Sequence, residues 1–359
     1  MEKGIRIFHK VIFCGIMLLL TALLLETSIE LILNNSGILK IKRENFFRDY
    51  YVHYDKNIVQ FMPDCARYDQ ELGYTLKPGV CQFVNREFHV EYRINSIGVR
   101  DDEASLSSPE IVVIGDSQAM GWGIKQHETF AKMIEKETGM LTLNAAVSSY
   151  GTVRELKMLK RVNVAKLKYL LIQYADNDFN ENAEYYNNEN VLPIMSEKTY
   201  AQYRKDLQDN IKYHFMKHSL YVLNRPINSI KNAFSKLRAP ASPMKSSGSG
   251  EAPNNRISEP EAFLNALMTS PVNLGSIKIF VFEINGYAHN DSDFVKGLKA
   301  LISNNREYPE FIKNMVILDF AAQLTADKYF VLDDHLIAKG HRIISNEIVP
   351  LIKEDCKAR

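Results

Sequence analysis

Residues 111–123 read IVVIGDSQAMGWG. A buried-strand pattern ends abruptly in Gly115-Asp116-Ser117, and two further glycines, Gly121 and Gly123, follow Met120. A phosphate-binding loop would need four residues between its glycines and then Lys and Ser or Thr. Here five residues separate Gly115 from Gly121 and Trp122 follows, so that reading is set aside. The nucleophile elbow G-x-S-x-G fits at Gly115 and Ser117 but meets Ala119 where its second glycine belongs. Two readings remain at this stretch: a nucleophilic serine on a different strand-to-helix turn, or an ordinary corner with a polar cap.

The surrounding chain favours a site. After Pro109, short apolar runs at 111–114, 141–145, 169–174, 277–284 and 315–320 alternate with helical patterns near 128–138, 153–161, 294–302 and 340–352. Five such strands separated by helices predict a parallel sheet covered on both faces. In such sheets ligands bind beyond the carboxyl ends of the strands. Ser117 stands just past the end of the first strand.

A serine hydroxyl is a weak nucleophile and needs a base, which a third group orients. Of the nine histidines, His335 stands out. In YFVLDDHLIAKGH it follows Asp333 and Asp334 and precedes a helix, at the same carboxyl edge. His341 falls inside that helical pattern, where packing is the expected role. Asp116 is expected to hold the turn through backbone hydrogen bonds. Acyl chemistry also requires donors for a developing oxyanion. Gly151, in NAAVSSYGTVRE after the second strand, can offer its backbone N–H. Asn177, in IQYADNDFNEN after the third, can offer its amide. Asp176, Asp178 and Asn180 do not make a calcium loop, because Glu181 and Asn187 stand where Gly and Glu are required.

Ser117, Gly151, Asn177 and His335 thus follow four strand ends in chain order. In this the sequence resembles the SGNH/GDSL hydrolases, whose four blocks correspond to GDSQAMGWG, NAAVSSYGT, YADND and DDHLIAKGH, over about Glu110 to the C-terminus. The resemblance implies a flavodoxin-like three-layer α/β/α fold with a five-stranded parallel sheet. It implies Ser117 as nucleophile, His335 as general base, and the N–H groups of Ser117 and Gly151 with Asn177 as the oxyanion hole. No metal or organic cofactor is implied. Two positions depart from the family pattern: Leu332 stands where many members have Asp, and Ile337 where Asn is frequent. The acidic member is therefore Asp333 or Asp334. In an extended segment, residues two apart share a face, which pairs Asp333 with His335 and sends Asp334 away, toward the following helix or solvent. The function implied is ester hydrolysis through a seryl–acyl intermediate. Alternatives are O-acyl transfer to a cell-envelope polysaccharide by the same residues, or a non-catalytic binding or assembly protein keeping the fold.

The 359-residue chain, 46% hydrophobic with a formal net charge of +1, can bury a large core. Its near-neutral balance gives no general attraction to nucleic acid. Neither zinc-like Cys/His spacing nor a repeat of 20–50 residues is present. At the N-terminus Lys3, Arg6 and Lys10 precede an apolar run over 11–25, and Ile29, Leu31, Ile32 and Leu33 continue it past Glu26 and Glu30. No A-x-A-like site follows, so an uncleaved membrane anchor is expected. The basic leader favours a cytoplasmic N-terminus and a body outside the cytoplasm, although Lys40, Lys42 and Arg43 lie beyond the span. There, glycan or lipid esters are the expected substrates.

Cys65 and Cys81 flank a short polar loop and could pair in an oxidising compartment. The segment FHVEYRIN alternates strictly and reads as a half-buried strand. Around it, ELGYTLKPG and INSIGVRD resemble the extension that precedes this domain in membrane-tethered relatives. The expected organisation is an anchor over 1–34, a small β-rich extension over 35–109 and the α/β domain over 110–356. Residues 200–238 carry eight Lys/Arg against two Asp, the pattern of basic amphipathic helices on a membrane surface or packed on the sheet. The Pro/Ser/Gly-rich 239–255 reads as a disordered loop, so the insertion covers about 185–260.

Overall fold

The computed structural model describes residues 2–35, 46–222 and 257–358. The chain divides into two compact units, 1–56 with 209–250 and 57–208 with 251–359.

In the first unit, helix α1 runs over Glu2–Asn34 and α2 over Phe46–Tyr54. Thus the start of the segment read as β-rich is helical. Within α1, Ile5–Asn34 is long and apolar enough to cross a membrane. At a rise of 1.5 Å per residue, α1 is about 50 Å long, more than the ~30 Å hydrocarbon layer. The two glutamates that interrupt its apolar run have polar partners. Glu26 accepts from the Ser219 N–H and hydroxyl, both at 2.8 Å, and from the Tyr213 hydroxyl at 3.0 Å. Glu30 lies 3.0 Å from His218 Nε2. Of the basic insertion, residues to 222 are described; the rest of it and the expected disordered loop lie outside the described residues.

The second unit begins with two antiparallel hairpins. Strands β1 (Ala66–Asp69) and β2 (Gly73–Leu76) pair, as do β3 (Gly79–Asn85) and β4 (Phe88–Ile94). In β4 the expected alternation holds: Val90, Tyr92 and Ile94 are buried while His89, Glu91 and Arg93 are exposed. Cys65, just before β1, is disulfide-bonded to Cys81 in β3 with the Cα atoms 5.4 Å apart, so the bond joins the two hairpins.

The parallel sheet follows. Its strands are β5 (Ile111–Ile114), β6 (Thr142–Asn144), β7 (Tyr169–Tyr174), β8 (Lys278–Glu283) and β9 (Val316–Leu318), in the order β6-β5-β7-β8-β9. This is the expected α/β fold with a five-stranded parallel sheet between helical layers. Helices α3 (Ser117–Met120), α4 (Phe130–Thr138), α5 (Thr152–Leu159), α6 (Asp178–Asn187) and α7 (Glu197–Ile211) come before the undescribed stretch. Helices α8 (Glu259–Met268), α9 (Asp293–Asn304), α10 (Glu310–Lys313) and α11 (Ala338–Ala358) come after it.

Strand alternation sorts the core onto the two faces. Val112, Ile114, Leu170, Ile172 and Val281 pack with Leu156 of α5, Phe263 of α8 and Leu298 of α9. Ile111, Val113, Leu171, Phe280 and Phe282 pack with Ile134 of α4 and with Ile344 and Ile348 of α11. Phe83 and Tyr92 of the second hairpin join this latter cluster, so that hairpin is built onto the sheet's core. In a strand order of this kind the chain reverses direction of winding beside its first strand, and the carboxyl ends there open a crevice. Ser117 follows that strand directly.

Candidate active site

The turn that carries Ser117 is held from several sides. Gly115 has φ 153°, and a Cβ there would lie 2.7 Å from both the Gln173 side-chain oxygen and the Ala119 Cβ. Only glycine meets both conditions. Asp116 caps α3, its carboxylate accepting from the Gln118 N–H at 2.8 Å. That is the turn-holding role expected of it. Burial pushes the Asp116 carboxyl up to about 7. Gln173, fully buried in β7, accepts from the N–H groups of Asp116 at 3.1 Å and Ala119 at 3.2 Å. Its amide donates to the carbonyls of Tyr174 and Ile284, so one side chain ties the turn to β7 and to the end of β8.

Ser117 Oγ lies 2.8 Å from His335 Nε2, and His335 Nδ1 lies 2.7 Å from Asp333 Oδ1. The Asp333 side chain is fully buried and that of His335 is 13% exposed. The same Nδ1 lies 3.1 Å from the Asp333 backbone carbonyl, which can only accept, so the imidazole proton sits on Nδ1. Nε2 is then left to accept from the Ser117 hydroxyl. Serine, imidazole and carboxylate form one directed chain of hydrogen bonds.

Asp333 pairs with His335 as expected, but the expected reason does not hold. The segment is not extended: Asp334 has φ 62°, in the left-handed region. Asp334 does not face solvent. It is buried and accepts from the Tyr287 N–H at 3.1 Å.

Gly151 and Asn177 begin α5 and α6, beyond the carboxyl ends of β6 and β7 on either side of Ser117. A Cβ on Gly151 would lie 2.9 Å from the Glu181 Cβ, so close approach of α6 requires the glycine. The two helix starts are tied together. The Thr152 hydroxyl donates to Asp178 at 2.9 Å and the Asn182 amide donates to Thr152 at 3.1 Å. Arg154 pairs with Glu181. Among the described residues, neither the Gly151 N–H nor the Asn177 amide has an acceptor. Ser117, first in α3, has no intrahelical acceptor for its own N–H.

Four further residues shape the site and were not singled out from the sequence. Gln118 accepts from the Leu336 N–H at 3.0 Å and donates to the Asp334 carbonyl at 3.4 Å, joining the Ser117 and His335 segments. The Trp122 indole stacks on the His335 imidazole, with centroids 4.6 Å apart and planes at 12°. Gln173 was visible as a polar residue in an apolar strand. Glu87, in the β3–β4 turn, accepts from the N–H groups of Val331, Leu332 and Asp333 at 2.8, 2.8 and 2.9 Å. Burial raises its carboxyl, and those three donors work against the rise. Nothing local to its position signals this. His341 packs in α11 and accepts from the Phe130 N–H at 3.2 Å, outside the Ser117–His335–Asp333 hydrogen-bond chain. Burial lowers its imidazole to about 3, so it is neutral.

No family model matches this sequence, and no curated protein matches it. Solved structures similar to it include a G-D-S-L family protein from Desulfitobacterium hafniense, at 12% identity over 67% of this chain and 97% of that one, with a TM-score of 0.33. A lipase from a goat rumen metagenome is 13% identical over 66% of this chain and 94% of its own, with a TM-score of 0.31. A carbohydrate esterase is 12% identical over 84% of this chain and 85% of its own, with a TM-score of 0.33.

Proposed function

We propose that this chain is a serine-dependent ester hydrolase of the SGNH/GDSL type, acting through a seryl–acyl intermediate on an ester-bearing glycan or lipid outside the cytoplasm. The observation that carries the reading is the unbroken chain from Ser117 Oγ to His335 Nε2 at 2.8 Å and from His335 Nδ1 to Asp333 at 2.7 Å. Its position at the crevice of a parallel sheet supports the same reading.

In the proposed mechanism Ser117 Oγ attacks the ester carbonyl while His335 Nε2 takes its proton. Asp333 holds the tautomer and stabilises the imidazolium. The N–H groups of Ser117 and Gly151, with the Asn177 amide, receive the oxyanion. His335 then returns the proton to the leaving alcohol. A water molecule, deprotonated by the same nitrogen, releases the acyl group and restores the serine. A fluorophosphonate tests this directly: it should label Ser117 in the wild type and fail on Ser117→Ala. Hydrolysis of a p-nitrophenyl ester persisting in folded Ser117→Ala excludes the mechanism.

The extracytoplasmic location is supported by the apolar α1 and by the Cys65–Cys81 bond, since such bonds persist in oxidising compartments. A reporter fused after Arg359 should be active outside the cytoplasm, and the protein should stay with membranes through a carbonate wash. A cytoplasmic reporter signal contradicts the orientation.

A further inference from the structure

We propose that Glu87 is a positioning residue for the Asp333–His335 pair, which makes the β3–β4 hairpin a working part of the site. Its effect on turnover rests on the serine-hydrolase reading above; its effect on the Asp333–His335 hydrogen bond does not.

Three consecutive backbone N–H groups, those of Val331, Leu332 and Asp333, converge on one Glu87 carboxylate. Converging amides of this kind form an anion-holding concavity. Leu332 and Asp333 are buried, so without the carboxylate their N–H groups would lack an equivalent acceptor. The turn needs such holding. It ends at Asp334 in left-handed backbone, a conformation that non-glycine residues keep only when their surroundings impose it. Asp334 is held on one side by its bonds to Tyr287 and Gln118. Glu87 holds the other side, through the backbone of the very residue whose carboxylate orients His335.

Glu87 is itself fixed. The register pairs Asn85 with Phe88, leaving Arg86 and Glu87 as a two-residue turn. Phe88 packs on Phe83 and on Phe330, with ring centroids 5.1 and 5.3 Å apart. The same hairpin also backs the imidazole. The Phe83 ring meets the Trp122 indole edge-on at 4.6 Å, and that indole stacks on His335. One hairpin therefore holds the acid through Glu87 and the imidazole face through Phe83 and Trp122.

The test uses the full chain in detergent as wild type, Glu87→Gln and Glu87→Ala, with folding checked by circular dichroism. Three quantities are read: steady-state kinetics on p-nitrophenyl acetate, the rate of fluorophosphonate labelling, and the downfield proton resonance of His335 Nδ1–H, assigned by its loss in His335→Gln. Misplacement of a reacting group by an ångström costs about 10²-fold in rate. We expect kcat of Glu87→Ala to fall about 10²-fold with KM unchanged, labelling to slow in parallel, and the downfield proton to vanish. Glu87→Gln keeps one acceptor oxygen and should fall between. If Glu87→Ala does not fold, Glu87→Gln decides on the same three readouts. Unchanged kcat and an unchanged downfield proton in a folded variant overturn the proposal. If the wild type does not react with the fluorophosphonate, the hydrolase reading fails, and the proton resonance still decides. Its loss in Glu87→Ala then supports the positioning role, and its persistence overturns it.

Discussion

The Asp333 carboxylate reaches His335 Nδ1 at 2.7 Å across an intervening residue, Asp334, that sits at φ 62°. The two side chains share a side because the chain turns sharply between them, and that turn sends the Asp334 carboxylate to the Tyr287 N–H. The two aspartates, adjacent in sequence, therefore have separable jobs.

Asp333→Asn should lose kcat steeply, up to about 10⁴-fold by analogy with the buried aspartate of serine-protease triads, with little change in KM. Asp334→Asn keeps an oxygen for the Tyr287 N–H and should leave kcat near wild type. Steady-state kinetics on one model ester compares them. Equal losses in both variants would show that the turn, and not the Asp333 carboxylate, is what matters.

Asn177→Ala should cost roughly 3 kcal/mol of transition-state stabilisation, the range seen when one oxyanion donor is removed. Because the Asn177 side chain makes no capping bond to α6, the melting temperature should change little. An unchanged kcat/KM removes Asn177 from the site.

Asp116 ties stability to pH. Burial raises its carboxyl from 3.8 to about 7 in the folded protein. Between those values the folded state holds a proton that the unfolded chain has released, so this contribution to stability falls as pH rises from about 4 to about 7 and is level above. Asp116→Asn keeps the cap on Gln118 and removes the titration. Urea midpoints at several pH values should show the variant gaining on wild type across that window. A constant difference between the two would mean that Asp116 is ionised in the fold.

Removing the Cys65–Cys81 bond by Cys65→Ala should lower stability by about 3 kcal/mol for a loop of this length. Mass spectrometry without reduction should find the two residues in one linked peptide pair. Two free thiols in protein from its native compartment would contradict the bond.

Much of the fold was legible in the chain because strand and helix patterns are local. Ile111–Ile114 and Tyr169–Tyr174 begin and end where their apolar runs do. The runs at 141–145, 277–284 and 315–320 overlap β6, β8 and β9 and extend one or two residues past their ends, where edges fray and loops stay apolar. Helix α2 was missed because Phe46–Tyr54 is rich in aromatics, which read more readily as strand. Ser117, Asp333 and His335 could be singled out because each lies in a polar break between a strand and a helix.

By itself, the sequence determined that strands alternate with helices, that Ser117 lies just past the first strand of the sheet, and that His335 has two acidic neighbours. Side-chain alternation and turn composition are properties of a few consecutive residues, so they can be read without knowing what packs against them. Only the tertiary structure decided that β5 lies between β6 and β7, that Gln173 braces the Ser117 turn, and that Glu87 grips the loop of Asp333. Glu87 and its three partners are 244 to 246 residues apart. A hydrogen bond across that distance depends on how the hairpin seats on the sheet, which no local pattern encodes. The pairing of Asp333 with His335 came from the same source: a left-handed residue held by neighbours from distant segments, where an extended strand had been the expectation.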